Sequence, residues 1–293
     1  MKIYIASSEK NAGKIQEDIY LRDAYRSKGF FSEIRALKDI VKISKPLDVV
    51  FLKSIWGYHV DHREFLERIS ILKTKNIKLV NDYDFILWNI DKREYLNEIK
   101  HLSIVPTVSL QFGSASTISE IRSEISKAGE MLDAVMVVIK PCISESGYLT
   151  FKYDRNGDNK TTLMSLKKNK HLNFIAQPYR STVSKGEISV VIINGVPLYG
   201  IKRFPGTLYD KLDSEYIKLN DVPGAILKVV ILLRKYFLKR FGVLPTISRV
   251  DFLKANVGYE ILEVELIDPD LYFRCIPESV KKKAVSMLYK SFA

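Results

Sequence analysis

A chain of 293 residues, 46% of them hydrophobic and including 14 Phe and 16 Tyr, can bury a substantial core and has room for two or three lobes. Its apolar runs are short, as at 229–233 between Lys228 and Arg234, far below the roughly 20 residues that span a bilayer, so no membrane helix is expected. The formal charge of +12 is spread along the chain rather than gathered in one block, which disfavours a nucleic-acid partner and equally suits small anionic ligands.

The amino terminus, MKIYIASSEK, lacks a basic region followed by a long apolar run, so export is not expected. Short apolar runs then alternate with amphipathic stretches, the pattern of α/β layers. Residues 2–6 and 49–55 read as strands. Between Arg63 and Leu72, the positions Phe65, Leu66, Ile69 and Leu72 share one helical stripe, and 78–80 is a further short strand. A helical segment at 92–99 ends before Val105-Pro106-Thr107, where proline discourages helix. The first domain boundary therefore falls after residue 104.

Beyond it, 118–132 reads as a helix, 134–140 as an apolar strand and 148–153 as a returning strand. Polar turn residues occupy 155–160, Lys167-Lys168-Asn169-Lys170 reads as a loop, and 173–177 is a strand. The pair 188–193 and 196–202 around Asn194-Gly195 is a hairpin, since Asn-Gly supplies the left-handed backbone of a tight turn. Residues 225–241 form an amphipathic helix, 246–253 and 259–264 paired strands, and 279–292 a last helix containing Lys281-Lys282-Lys283. The expected domains are 1–104, 105–178 and 179–293.

The most informative segment is SRVDFLKANVGYEILEVELIDPD, 248–270. Side chains alternate along a strand, so Arg249 and Asp251 share one face, as do Glu263 and Glu265. Three carboxylates converging on an apolar hairpin would repel one another unless a cation neutralises them. Mg²⁺, which prefers oxygen ligands and bridges carboxylates to nucleotide phosphates, makes Asp251, Glu263 and Glu265 candidate metal ligands. Arg249 could stabilise developing negative charge; ordinary ion pairs on an exposed strand are the alternative. The second segment is VMVVIKPCISESGYLTF, 135–151. A strand ends in Lys140, and Ser144, Ser146 and Gly147 follow in a loop small enough to bring backbone N–H groups against phosphate. Cys142 has no recognisable histidine base nearby in sequence. Two cysteines, Cys142 and Cys275, fit neither a disulfide framework nor a metal site, so a reducing cytoplasm is expected.

The order of these features resembles the ATP-grasp superfamily across nearly the whole chain. The segments that carry the resemblance are SIWGYHVDHREFLERI at 54–69, WNIDKREYL at 88–96, VPT at 105–107, IKP at 139–141, QPY at 177–179, GEISVV at 186–191, and RVDF with LEVELIDPDLYF near the end. The pattern is similar to the branch holding the D-cycloserine-forming cyclo-ligase and glutathione-synthetase-like enzymes. The resemblance implies an α/β architecture of α+β lobes, in which an amino-terminal α/β lobe precedes two lobes enclosing ATP. It implies an ADP-forming, Mg²⁺-requiring carboxylate–amine ligase working through an acyl phosphate, with a small carboxylate substrate and an amine acceptor, in one molecule or two. A homo-oligomer is compatible with it.

The resemblance also implies that Lys92 and Lys140 contact ATP. Gln177, Pro178 and Tyr179 would form the adenine hinge, Glu187 would meet the ribose, and Arg203 with Lys202 would hold phosphate or the substrate carboxylate. Lys53 stands where that branch commonly has arginine, and lysine lacks the planar fork for a bidentate carboxylate contact. Trp56, Tyr58 and His59 could line the acyl pocket; alternatively, Trp56 and Tyr58 pack between lobes and His59 caps a turn. A kinase that stops after phosphoryl transfer, and a non-catalytic nucleotide- or nucleic-acid-binding protein, remain as other readings.

Overall fold

A computed structural model describes residues 1–113, 117–204 and 214–291. Strands β1 (Lys2–Ser7), β2 (Phe31–Ala36), β3 (Val49–Leu52) and β4 (Lys78–Val80) form a parallel sheet in the order β2-β1-β3-β4. Parallel neighbours need crossovers; these are helices α1 (Gln16–Arg26), α2 (Leu37–Ile43) and α3 (His62–Thr74). The central strands are mostly apolar, with Ile3, Ile5, Val49 and Phe51 fully buried, as expected of a sheet covered on both faces.

Helices α4 (Tyr83–Asn89) and α5 (Lys92–Glu98) follow. An antiparallel sheet is then built from β5 (Val108–Gln111), β6 (Met136–Pro141), β7 (Phe151–Asp154) and β8 (Asn173–Pro178), ordered β5-β8-β6-β7. Helices α6 (Ile118–Met131) and α7 (Lys160–Lys168) cover it. Thr117 and Glu120 close a reciprocal capping box at the start of α6. The expected loop at Lys167-Lys168-Asn169-Lys170 is corrected here: Lys167 and Lys168 form the last turn of α7, where cations meet the negative end of the helix dipole.

The third sheet, β11-β10-β9-β12-β13, is antiparallel throughout. Its strands are β9 (Glu187–Ile193), β10 (Val196–Arg203), β11 (Ser214–Lys218), β12 (Ile247–Lys254) and β13 (Tyr259–Glu265), with α8 (Gly224–Phe241) before β12 and α9 (Glu278–Tyr289) at the end. Asn194 and Gly195 both have positive φ, as the hairpin turn requires. The end of the expected last helix, Phe292, lies outside the described residues.

Packing ties the first sheet to the last. One core joins Ile3, Ile5, Val49 and Phe51 to Val191, Ile193, Tyr199, Leu271, Phe273 and Leu288. A second places Phe85, Trp88, Tyr95 and Leu96 of α4 and α5 among Val190, Phe252, Val264 and the α8 residues Val230 and Phe237. The carboxylate hairpin is thereby held between both neighbouring layers. Among the described residues, no helix is long and apolar enough to cross a membrane.

Candidate active site

The hairpin β12–β13 sets Asp251 opposite Glu263 and Arg249 opposite Glu265. Its neighbour β9 brings Glu187 alongside, and β10 brings Lys202 and Arg203 by pairing Arg203 with Glu187. From the other side, α5 supplies Lys92, β6 supplies Lys140, and the loop after it supplies Ser144, Ser146 and Gly147. Residues distant in sequence thus meet in one network of charges.

Its centre is Asp251, 2% exposed. Arg249 Nε and Nη2 donate to its two oxygens at 2.9 and 3.0 Å, and Arg203 Nη2 donates at 2.8 Å. Burial alone would raise this carboxyl, but the guanidiniums of Arg203 and Arg249 hold it well below the usual carboxylate range. Arg249 also donates to Glu265, and Arg203 to Glu187 at 2.8 Å. Lys92 pairs with Glu263 at 3.1 Å and donates to the Ser144 carbonyl. Lys140 is 8% exposed; burial, reinforced by the nearby Lys92 ammonium, lowers its pKa against the pull of Glu263. An incoming phosphate would restore the charge that burial disfavours.

In this network each of the three acids has a basic partner from the protein, the ion pairing that the sequence left as the alternative to a metal. Among the described residues, no three His, Cys, Asp or Glu side chains gather closely enough to hold a metal alone. Glu263 and Glu265 nevertheless fit Mg²⁺. They project from one face of β13, are a quarter exposed, and are hard oxygen donors. Burial, with Asp251 and Glu263 adding repulsion, pushes Glu265 up to about 7 despite Arg249, a strain that an added cation relieves. Mg²⁺ commonly takes one or two carboxylates and completes its shell with water and nucleotide phosphate, so a pair suffices.

The loop after β6 has consecutive positive φ at Ser146 (50°) and Gly147 (70°), which turns the backbone sharply after the half-buried Glu145. Glu145 accepts from the Gly57 backbone N–H and lies 3.2 Å from His59 Nδ1, while the His59 and Tyr148 rings are 4.4 Å apart. The His59 side chain therefore meets the loop after β6 rather than capping a turn. Tyr58 packs on Phe65, and Trp56 lines a cavity beside α1. At the hinge, the buried Gln177 spends its amide on Thr107 Oγ1 at 2.9 Å, Pro178 ends β8, and the Tyr179 N–H donates to the Met136 carbonyl. Lys202 Nζ sits 5.0 Å from the Phe204 ring centroid. Lys53 lines the same cavity as Trp56, where it is buried against Glu17 at 2.7 Å and donates to the Pro269 carbonyl. Burial pushes the Cys142 thiol up to about 12, which disfavours the thiolate form.

Sequence reading missed Glu145, Glu17, Asp18 and Asp268. The Asp268-Pro269-Asp270 segment gave a signal in its paired acids, but only the fold shows which element they face.

Residues 105–209 match the family model described as prokaryotic glutathione synthetase, ATP-grasp domain. D-cycloserine synthetase DcsG is similar in structure over 99% of this chain and 100% of its own, with a TM-score of 0.82 and 18% identity. D-alanine–D-alanine ligase from Bacillus anthracis, complexed with ATP, is similar over 100% and 97% respectively, with a TM-score of 0.70 and 13% identity. The macrocyclase MdnC bound with precursor peptide MdnA from Microcystis aeruginosa MRC is similar over 99% and 100%, with a TM-score of 0.63 and 14% identity. No curated protein matches the chain in sequence. The fold shared along the whole chain, with the matched domain inside it, is the ATP-grasp fold.

Proposed function

We propose that the protein is an ADP-forming carboxylate–amine ligase that activates a carboxylate as an acyl phosphate and transfers the acyl group to an amine. The observation that carries this is the single charge network in which Lys92, Lys140, Arg203 and Arg249 face Glu187, Asp251, Glu263 and Glu265. Four cations around a partly exposed acid pair suit a triphosphate. A buried Nε of Arg203 has no partner among the described residues, and it points to an anionic ligand still to be bound.

In this reading, Lys140, Lys92 and the backbone of Ser144 to Gly147 hold the phosphates. Gln177, Pro178 and Tyr179 border the adenine, and Glu187 meets the ribose when Arg203 turns to phosphate or carboxylate, with Lys202 beside it. Glu263 and Glu265 would hold Mg²⁺, with Asp251 as a third ligand once Arg203 has moved. Bound there, the metal neutralises phosphate charge and screens the attacking carboxylate from it. The carboxylate oxygen attacks the γ-phosphorus and ADP leaves; the amine then attacks the acyl carbon and phosphate leaves. Arg249, fixed by two carboxylates, stabilises the oxyanion, so positioning and preorganised charge supply the rate. The His59–Glu145 latch keeps the phosphate loop over the intermediate and water out. Operation in a reducing cytoplasm belongs to the same reading.

Glu263→Gln tests it. The substitution preserves shape and removes one metal-binding charge, so ADP release should fall by roughly 10²–10³ and Mg²⁺-dependent ADP binding should be lost in calorimetry, with unfolding unchanged. Near-normal turnover would remove the metal assignment. A stable phosphorylated product in place of a new amide would make the protein a kinase. Salt-sensitive RNA or DNA binding without Mg²⁺-dependent nucleotide binding would favour the non-catalytic reading.

A further inference from the structure

Helix α8 covers the back of the carboxylate sheet. Its buried residues Val230 and Phe237 meet Val250, Phe252 and Val264. Those three alternate along β12 and β13 with Arg249, Asp251, Glu263 and Glu265, and so lie on the opposite face of the sheet from them. The outer face of α8 is exposed: Lys228, Ile231, Leu232, Lys235, Leu238 and Lys239 fall within about 120° of arc at 3.6 residues per turn. The Asn194-Gly195 turn abuts the same helix, since a Cβ on Gly195 would lie 2.6 Å from the Leu244 side chain and 3.3 Å from that of Arg234. The neighbouring Val196 and Val243 thereby border the same surface. Ile231, Leu232, Leu238, Val196 and Val243 are 43–53% exposed.

The charge on this surface is almost all of one sign. Helix α8 carries Lys228, Arg234, Lys235, Lys239 and Arg240 and no acid. Arg240 is paired with Glu98 at 2.6 Å, and the other four have no acidic partner among the described residues. Of the exposed acids nearby, Asp84 is paired with Lys73 at 3.3 Å. Asp221 and Asp82 stand at opposite ends, the first three residues before the helix and the second beside Asn81, whose amide bonds Ile247. A second copy of the chain would set these unpaired cations against themselves. Protein interfaces also deplete lysine from their apolar centres, whereas here Lys228, Lys235 and Lys239 run between Leu232 on one side and Ile231 and Leu238 on the other. That interleaving suits a bilayer, where apolar tips enter the headgroup layer and ammonium groups on flexible stems lie among the phosphates. We propose that the outer face of α8, with the Asn194-Gly195 turn, docks the protein on an anionic membrane surface. The contact lies on the bilayer and does not span it, and the net charge of +12 draws the whole protein toward it. It is independent of the ligase reading, and it leaves the carboxylate face of the sheet turned away from the membrane.

Sedimentation of the whole protein with vesicles tests this. Vesicles of phosphatidylcholine with about a third phosphatidylglycerol should carry the protein down, vesicles of phosphatidylcholine alone should not, and salt raised to ~0.5 M should release it. Lys235→Gln with Lys239→Gln should weaken the partition roughly thirty-fold, about five-fold for each lysine. Ile231→Ser with Leu238→Ser should weaken it by roughly ten-fold or more, through loss of the apolar tips. All four side chains are exposed, so urea unfolding of both variants should match the wild type. The same charge removed from exposed positions of α7, by Lys160→Gln with Lys167→Gln, should change the partition by no more than about two-fold. Equal loss from the α7 pair would make the attraction a matter of net charge alone and overturn the proposal. Neutral vesicles binding as well as anionic ones, or unchanged partition in both α8 variants, would do the same. A dimer that Ile231→Ser with Leu238→Ser dissociates would give the face to a second copy instead, and duplex DNA bound more tightly than vesicles, through Lys235 and Lys239, would give it to nucleic acid.

Discussion

Arg249 and Arg203 look alike in sequence but carry different burdens. Arg249 is 5% exposed and serves Asp251 and Glu265 together, whereas Arg203 shares Asp251 with it and reaches the more open Glu187. Removing Arg249 strands two acids in a medium that penalises them, so Arg249→Gln should lower the unfolding free energy by about 3–5 kcal/mol in urea titrations. Arg203→Gln leaves Asp251 its two bonds from Arg249, and should cost stability far less while reducing ADP release by roughly 10²–10³. Equal destabilisation by both would show that the network has no such hierarchy. The acids and arginines of β12 and β13 were legible in sequence because alternation places them on one face. Their pairing was not: it depends on Arg203, which reaches Asp251 across β9, and strand order is invisible to period-two patterning.

At the scale of elements, the loop after β6, proposed to hold phosphate, belongs to the central sheet but is fastened to the first lobe through Glu145, Gly57 and His59. Glu145→Ala cuts that link without touching the phosphate ligands. It should leave nucleotide affinity within a few-fold and raise the fraction of ATP hydrolysed without product formation, read as the ratio of phosphate released to amide formed, because a loosened loop admits water. An unchanged ratio would make the contact ornamental. The buried strands and the long helices announced themselves through their periods. The elements that reading passed over are those whose environment interrupts the period. Helix α1 buries Asp18 in line with Leu21 and Tyr25, so its inner stripe contains a charge, and β2 is an edge strand, FSEIRA, whose acid and base disguise a paired backbone. Helix α7 was taken for turn and loop because its lysines lie at the end that the dipole favours. The acids of the α1 cavity escaped notice for the same reason as α1 itself.

For the whole molecule, these buried acids set a pH dependence of stability. Burial raises the carboxyl pKa of Asp18, Asp268 and Glu187, the last against the pull of Arg203. A group with a raised folded-state pKa keeps its proton in the native protein after the unfolded chain has lost it. Between the unfolded value, near 3.8 for the aspartates, and the raised value, the native state therefore binds more protons, and stability declines as pH rises. Asp251 and Asp270 are shifted the opposite way by their arginines, so their contribution is complete above 3.8 and fails only at lower pH. The two sets do not cancel, because they act in different windows. The ligand-free protein should gain stability as pH is lowered from ~8 to ~5, at up to ~1.4 kcal/mol for each unit by which one carboxyl is raised, and lose it in stronger acid. Urea midpoints across this range check the sign, and the double variant Asp18→Asn with Asp268→Asn should flatten the rise. If stability instead climbed steadily from ~5 to ~8 in the unliganded wild type, these carboxyls would have to be hydrated in solution, free of the burial that raises them.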